Sequence, residues 1–353
     1  MTLSPIFRSL EAVEMLEMKG YLARLRPSIE AERACSRELA ELLRDVIDDR
    51  YIAADGNEDD EIVFLQEHFF LTLFDSVFRT LGCPADRLRM YGLLNLCVKG
   101  LVVAGDNLFD REAKMDLPLK LGRGQCFASI MQLICFDHLI MRVLERCGSL
   151  VKPDEVVRFR RDLVSALAYI GTLEGSEEAG VDAVLPVEEM IRKVHEVRGG
   201  RLFALSFIAP WVWEPADTRD CWETAHRGIA RLGTAFQIVD DLVDFEFDLG
   251  RGSHNVLSSQ IVHAGSPAEK AAFEKLAGAK DVPGDVVERS FVMSARAVLE
   301  RARLEAERGF AELQTIGFWY PPTDADLFIR AIAGDAGDQR VDVVTRGRQP
   351  VQR

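Results

Sequence analysis

"FQIVDDLVDFEFD", residues 236–248, sets four aspartates into a stretch that is otherwise mostly apolar. The periodicity predicts a helix, on which Asp240, Asp244 and Asp248 recur every four residues and share one face. Carboxylates at that spacing repel by roughly 0.2–0.5 kcal/mol a pair. A solvated helix face is broad, whereas here the polar positions form a strip between Phe, Ile, Val and Leu. A strip of like charge kept against its own repulsion points to a bound cation.

A second stretch has the same design. "KGLVVAGDNLFDRE", residues 99–112, places Asp106 and Asp110 four apart on an apolar helix, with Lys99 seven residues before Asp106. Two helices with Asp-x-x-x-Asp stripes can face each other across a cavity. Oxygen-rich ligand sets of this kind suit Mg²⁺, which keeps several waters and takes one or two carboxylates plus substrate phosphates. The competing reading is a solvated acidic face, and it weighs more for "DNLFD" than for the second stretch.

The whole chain sets bounds on the ligand. It has 353 residues, 48% hydrophobic and 28% charged, the balance of a globular protein with a sizeable core. A formal net charge of -14 excludes a nucleic-acid partner. It leaves room for a small phosphorylated ligand, because a few Arg or Lys and bound metal ions invert the local field. Seven cysteines occur without a CxxC pair, several in apolar runs, which predicts reduced thiols and a cytoplasmic location. The N-terminus lacks the apolar core of a signal peptide, and no apolar run long enough for a transmembrane segment is expected.

Helical periodicity dominates. It predicts helices over 29–50, 62–82, about 88–112, 125–147, 154–172, 186–209, 217–249 and 284–315, separated by Gly/Pro-bearing loops. No period-2 strand pattern is present. The expected fold class is all-α: one domain over 1–333, including N-terminal helices within 1–55, and a polar, flexible tail over 334–353.

At this point the residues resemble a family. "GTAFQIVDDLVD" resembles the second aspartate-rich motif of the trans-polyprenyl diphosphate synthases, F-Q-x-x-D-D-x-x-D, and "DNLFD", about 130 residues earlier, resembles their first, D-D-x-x-D. "VHEVRGGRLFALS" sits where that family carries a Lys-Thr pair, with Arg198 and Gly199 at those positions, and "IGTLEGSEEAG" falls where it has a Gly-Gln turn. The resemblance implies the class I isoprenoid synthase fold, a helical bundle around a central apolar cavity, and three Mg²⁺ ions held against the diphosphate of an allylic prenyl diphosphate substrate. By position it implies Asp106, Asp110, Asp240 and Asp244 as metal ligands, with Asp241 and Gln237 as supports. Arg198, Arg251 and Arg111 would contact the diphosphate. A homodimer is also implied.

Three departures from that pattern bear on the reaction. Asn107 replaces the second Asp of the first motif. The basic G-G-K-R-x-R-P segment that holds isopentenyl diphosphate in chain-elongating enzymes has no counterpart in "DEIVFLQEHFF", residues 60–70. The paired Arg after the first motif is also missing, although Lys114, Lys120 and Arg123 follow it. A second diphosphate without cations is costly in a partly buried pocket. The expectation therefore leans to one diphosphate: ionisation followed by cyclisation or elimination, as in terpene synthases. The alternatives are chain elongation by a prenyltransferase and a non-catalytic subunit of a prenyl synthase. A di-iron carboxylate bundle fits poorly, since it needs two Glu-x-x-His motifs and only Glu223 to His226 in "WETAH" matches.

Overall fold

The structure, a computed structural model, describes residues 10–53, 61–110, 112, 114–122, 124–178, 180–276 and 282–346. Its helices are α1 (Leu10–Met18), α2 (Tyr21–Leu43), α3 (Glu61–Thr80), α4 (Ala85–Asp110), α5 (Gln125–Arg146), α6 (Pro153–Ser176), α7 (Val187–Met190), α8 (Leu202–Ala204) and α9 (Ile208–Trp213). They continue with α10 (Arg219–Val243), α11 (Phe245–Arg251), α12 (Val256–Ala264), α13 (Pro267–Leu276), α14 (Val286–Ser290), α15 (Val292–Thr315) and α16 (Ala325–Arg346). A π-helical stretch, Ile191–Arg201, joins α7 to α8. No strand forms among the described residues; an isolated antiparallel bridge pairs Ile52 with Leu119. The fold is all-α, as the periodicity predicts.

The chain divides into two compact units. In the first, Lys19–Leu167 with Leu205–Glu223, α4 packs against α2, α3 and α5. Residues 91–98 of α4 are buried on every side, which is why the run reads as continuously apolar. Phe78 meets Tyr91 and Phe207 edge-on at 6.0 and 5.2 Å, the arrangement that ring quadrupoles favour. The Tyr91 hydroxyl donates to Glu214 Oε1 at 2.7 Å, and Arg87 neutralises that carboxylate at 3.2 Å. Two helices, Ala85–Phe109 and Gln125–Arg146, are long and apolar enough to cross a membrane by length and composition, against the expectation that no segment is. Their most apolar windows are 67% and 44% buried within the protein, so core packing contributes much of that hydropathy.

The second unit comprises 10–18, 168–204 and 224–346 among the described residues. Most of α10 serves as its axis. A Cβ built on Gly199 would lie 2.0 Å from the Gly233 carbonyl oxygen, and one on Gly233 would lie 2.2 Å from that of Gly199. The π-helical stretch and α10 therefore cross backbone to backbone, and no residue but glycine fits at the crossing. On another side α10 approaches α15 less tightly, a Cβ built on Gly228 or on Gly309 lying 2.9 Å from the other's carbonyl oxygen.

The C-terminal segment corrects an expectation. Residues 334–346 belong to α16, which bends at Gly334 (φ 70°, ψ 179°), and Arg340, Val341 and Val344 are buried. The run looks polar from its charged residues, yet the buried Arg340 guanidinium is matched by carboxylates far away in sequence. Only 347–353 of the expected flexible tail lie outside the described residues.

The glycine crossing yields a stability test. Gly199→Ala is expected to cost about 1–3 kcal/mol or more by overpacking. Gly105→Ala, in open space inside α4, is expected to stabilise by up to about 1 kcal/mol through helix propensity. Chemical denaturation of the two variants reads the contrast, and equal effects would contradict the close crossing.

Candidate active site

The second acidic motif sits where α10 ends. Val239 and Leu242 are buried against the second unit's core, Asp240 is half-buried and Asp244 is exposed. Asp244 is the break between α10 and α11, with φ −96° and ψ 14°, so the helix expected over 217–249 divides there. Helical hydrogen bonding continues across the break, from Asp244 N to Asp240 O (2.8 Å) and from Asp248 N to Asp244 O (3.0 Å).

Asp241 does something different. It is 3% exposed and its carboxylate is occupied by protein donors: Oδ2 accepts from Val256 N at 2.6 Å and lies 2.8 Å from His195 Nε2, while Oδ1 accepts from Gln237 Nε2 at 3.3 Å. The Asp241 carbonyl accepts from Asn255 Nδ2 at 2.6 Å. Asn255 is also the N-cap of α12, its side-chain oxygen accepting from Leu257 N and Ser258 N. Gln237 reaches Asp240 Oδ2 as well, at 3.2 Å. Asp248 receives Asn255 Nδ2 at 2.8 Å; desolvation, then the nearby charge of Asp241, hold its pKa well above the usual carboxylate range.

Beside this cluster Arg198 lies between two glutamates, Nε 2.7 Å from Glu174 Oε1 and Nη2 2.8 Å from Glu177 Oε1. Burial opposes the charge on Arg198, but Glu174, Glu177 and Asp241 together outweigh it and its pKa stays above the ordinary value. Glu177 further accepts from His254 N at 3.0 Å. Burial lowers the His254 pKa, with Glu177 opposing and Arg198 assisting. Arg251 is exposed at the end of α11, its guanidinium 5.3 Å from the Phe247 ring centre.

In the first unit, Asp106 is exposed near the end of α4. The Asp110 side chain and Arg111 lie outside the described residues. Asn107 is 2% exposed and turns inward. Its Nδ2 donates to the Lys114 carbonyl at 2.7 Å and its Oδ1 accepts from Lys114 N at 3.1 Å. The fully buried Gln132 completes the latch, donating to Lys114 O at 3.0 Å and accepting from Asp116 N at 2.8 Å. Lys99 pairs with Asp116 at 3.2 Å.

The donor set fits Mg²⁺ and no closed metal cage. Among the described residues no three His, Cys, Asp or Glu side chains converge to hold a metal unaided. Asp240 and Asp244 bring the hard oxygen donor type that Mg²⁺ takes together with water and phosphate.

Sequence reading did not single out His195, Asn255, Glu174 or Glu177. A lone His in the helical run "IRKVHEVRGG" and an Asn just before "VLSSQIVHA" were the available signals, the latter a plain N-cap pattern.

No protein-family model matches the sequence, and no curated protein matches it. Solved structures do match by fold. The geranylgeranyl pyrophosphate synthetase of Pyrococcus horikoshii superposes with a TM-score of 0.59 at 14% identity, covering 89% of this chain and 98% of its own. The decaprenyl diphosphate synthase of Rhodobacter capsulatus gives 0.58 at 16%, covering 93% and 99%. A polyprenyl synthase of Caulobacter crescentus, solved with calcium and isoprenyl diphosphate, gives 0.57 at 14%, covering 90% and 98%. The fold is the all-α fold of these polyprenyl and geranylgeranyl diphosphate synthases.

Asn107 generates a test. Asp at this position would restore the fully acidic motif but could not donate to the Lys114 carbonyl. Asn107→Asp is expected to lose about 1–3 kcal/mol of stability or more, because it buries a carboxylate against a carbonyl. Urea unfolding measures this, and an unchanged midpoint would contradict the latch.

Proposed function

We propose that this protein is a Mg²⁺-dependent class I isoprenoid synthase that ionises an allylic prenyl diphosphate and releases pyrophosphate. The observation that carries the reading is the division of labour in the second motif. Asp241 is buried and saturated by protein donors, whereas Asp240 is half-buried and Asp244 exposed at the end of the same helix. A helix that spends one carboxylate on its own support and sets two more nearer the surface suits a bound cation–diphosphate pair. Asp106 and Asp110 carry the same role in the first motif.

When bound, Mg²⁺ stabilises the charge that builds on the departing diphosphate. The chain's residues orient and neutralise. Gln237 holds Asp240 in place, and Arg251 meets the diphosphate from solvent. Arg198 joins it by exchanging a glutamate partner for a phosphate oxygen, with its fork suited to either.

For the fate of the ionised prenyl group, extension by a second isoprenoid unit is the better supported outcome. Proteins of the same fold are named as synthases of geranylgeranyl, decaprenyl and polyprenyl diphosphates. One observation keeps cyclisation or elimination as a second reading: residues 60–70 contain neither Lys nor Arg.

Incubation with C10, C15 and C20 allylic diphosphates, each with and without isopentenyl diphosphate, separates these outcomes. A longer prenyl diphosphate formed only with both substrates supports extension, and hydrocarbons or alcohols from the allylic substrate alone support the second reading. Absence of pyrophosphate release in every arm leaves a non-catalytic subunit. Asp240→Asn and Asp244→Asn are each expected to abolish pyrophosphate release without loss of stability, since carboxylate repulsion is relieved. Full activity in either variant, or in excess chelator, would sink the proposal.

A further inference from the structure

The break at Asp244 is held from a distant part of the chain. Arg340, in the last turns of α16, is buried and spends all three of its guanidinium nitrogens around this point. Nη1 donates to the carbonyls of Leu242 at 2.7 Å and Val243 at 3.1 Å, the last two residues of α10. Nη1 and Nη2 together clamp the Glu246 carboxylate at 3.0 and 2.7 Å. Nε reaches Glu288 Oε1 at 2.8 Å, and Nη2 also meets the Gly284 carbonyl at 3.3 Å.

These partners bracket Asp244: Leu242 and Val243 precede it and Glu246 follows it. A helix end leaves carbonyls in need of donors, and a cation there is favoured by the helix dipole. Arg340 meets both requirements while tying the first turn of α11 to the last turn of α10. The angle between those turns sets where the Asp244 carboxylate points relative to Asp240.

We propose that Arg340 is a positioning residue for the second acidic motif, making the C-terminal helix part of the scaffold that presents Asp240 and Asp244 to a metal-bound diphosphate. The inference rests on the function proposed above. The fork is needed, because an ammonium cannot span three carbonyls and two carboxylates at once. The five groups bonded to Arg340 are three carbonyls and two acids, so the guanidinium is the element that joins them.

Removing Arg340 alone strands two buried carboxylates and endangers the fold. The test therefore uses the full chain with Arg340→Met combined with Glu246→Gln and Glu288→Gln, the matched Glu246→Gln and Glu288→Gln pair that keeps Arg340, and Arg340→Lys by itself. Three readouts are compared: Tm, the Mg²⁺ concentration for half-maximal pyrophosphate release, and calorimetric binding of pyrophosphate with Mg²⁺. The triple variant is expected to need about tenfold more Mg²⁺ or above and to bind magnesium pyrophosphate correspondingly more weakly than the matched pair. Its Tm is expected to stay close to that of the pair, and Arg340→Lys is expected to fall in between. Should the triple variant fail to fold, Arg340→Lys carries the test with the same three readouts.

A Tm loss with the Mg²⁺ dependence unmoved would overturn the proposal and leave Arg340 a purely structural cap. If the wild-type protein binds magnesium pyrophosphate but releases none from any allylic diphosphate, the proposed reaction fails, and the calorimetry still decides the role of Arg340. If the wild type binds no magnesium pyrophosphate, both fall.

Discussion

The buried carboxylate of Asp241 organises the second unit around one point. A carboxylate removed from water is tolerated only when its oxygens are met by donors, and Asp241 has three: Val256 N, His195 and Gln237. Each donor comes from a different element, so satisfying one side chain brings the start of α12, the π-helical stretch and α10 to a common centre. The reach of Asn255 to the Asp241 carbonyl ties the α12 cap to the same place. With Asp241 occupied inward, Asp240 stays half-buried and Asp244 exposed at the helix end.

The departures from the family pattern around Arg198 hang together physically. Gly199 stands where the family pattern has a threonine, and a Cβ there would overlap the Gly233 backbone. A backbone crossing this close brings the π-helical stretch near enough for His195 to reach Asp241. π-helical turns recur at functional sites because they reorient a few side chains without ending the helix. The neighbouring Arg198 then lies in a narrow space where an unpaired guanidinium would be costly, and Glu174 and Glu177 meet it. Glycine, histidine, arginine and two glutamates thus form one solution, and exchanging the Arg198–Gly199 pair for Lys-Thr would break it.

Periodicity and local signals made most of the fold legible. The helix class follows from the 3.6-residue pattern, and α3, α4, α5 and α15 end within about three residues of where Gly, Pro and charge place them. The two acidic strips were legible as sequence patterns for the same reason, since a polar strip on an apolar helix is a local signal. What escaped depended on distant partners. Residues 335–346 look polar and unanchored, but Arg340 is buried because Glu246 and Glu288 await it 94 and 52 positions away. The Glu174–Arg198 and His195–Asp241 pairs join segments whose proximity no local pattern encodes. The division of α10 from α11 escaped because helical hydrogen bonds run across it, leaving no Gly or Pro to mark the break.

Asn107 and Asp241 occupy the same place in their respective motifs, the second position, and both are almost fully buried. Their chemistry differs because their surroundings do. Asp241 faces donors on every side, so an acceptor-only group is required. Asn107 faces the N–H and the carbonyl of Lys114 together, and only a group that both donates and accepts satisfies the pair. The missing charge at position 107 therefore removes nothing from the accessible acidic set, because a residue turned inward toward a loop has no oxygen to offer a ligand. The second position of each motif supports the helix end, and the pocket around it selects the residue. Asp106 and Asp244 are exposed and Asp240 half-buried, and in the function proposed above these acids carry the charge that a cation–diphosphate pair would meet.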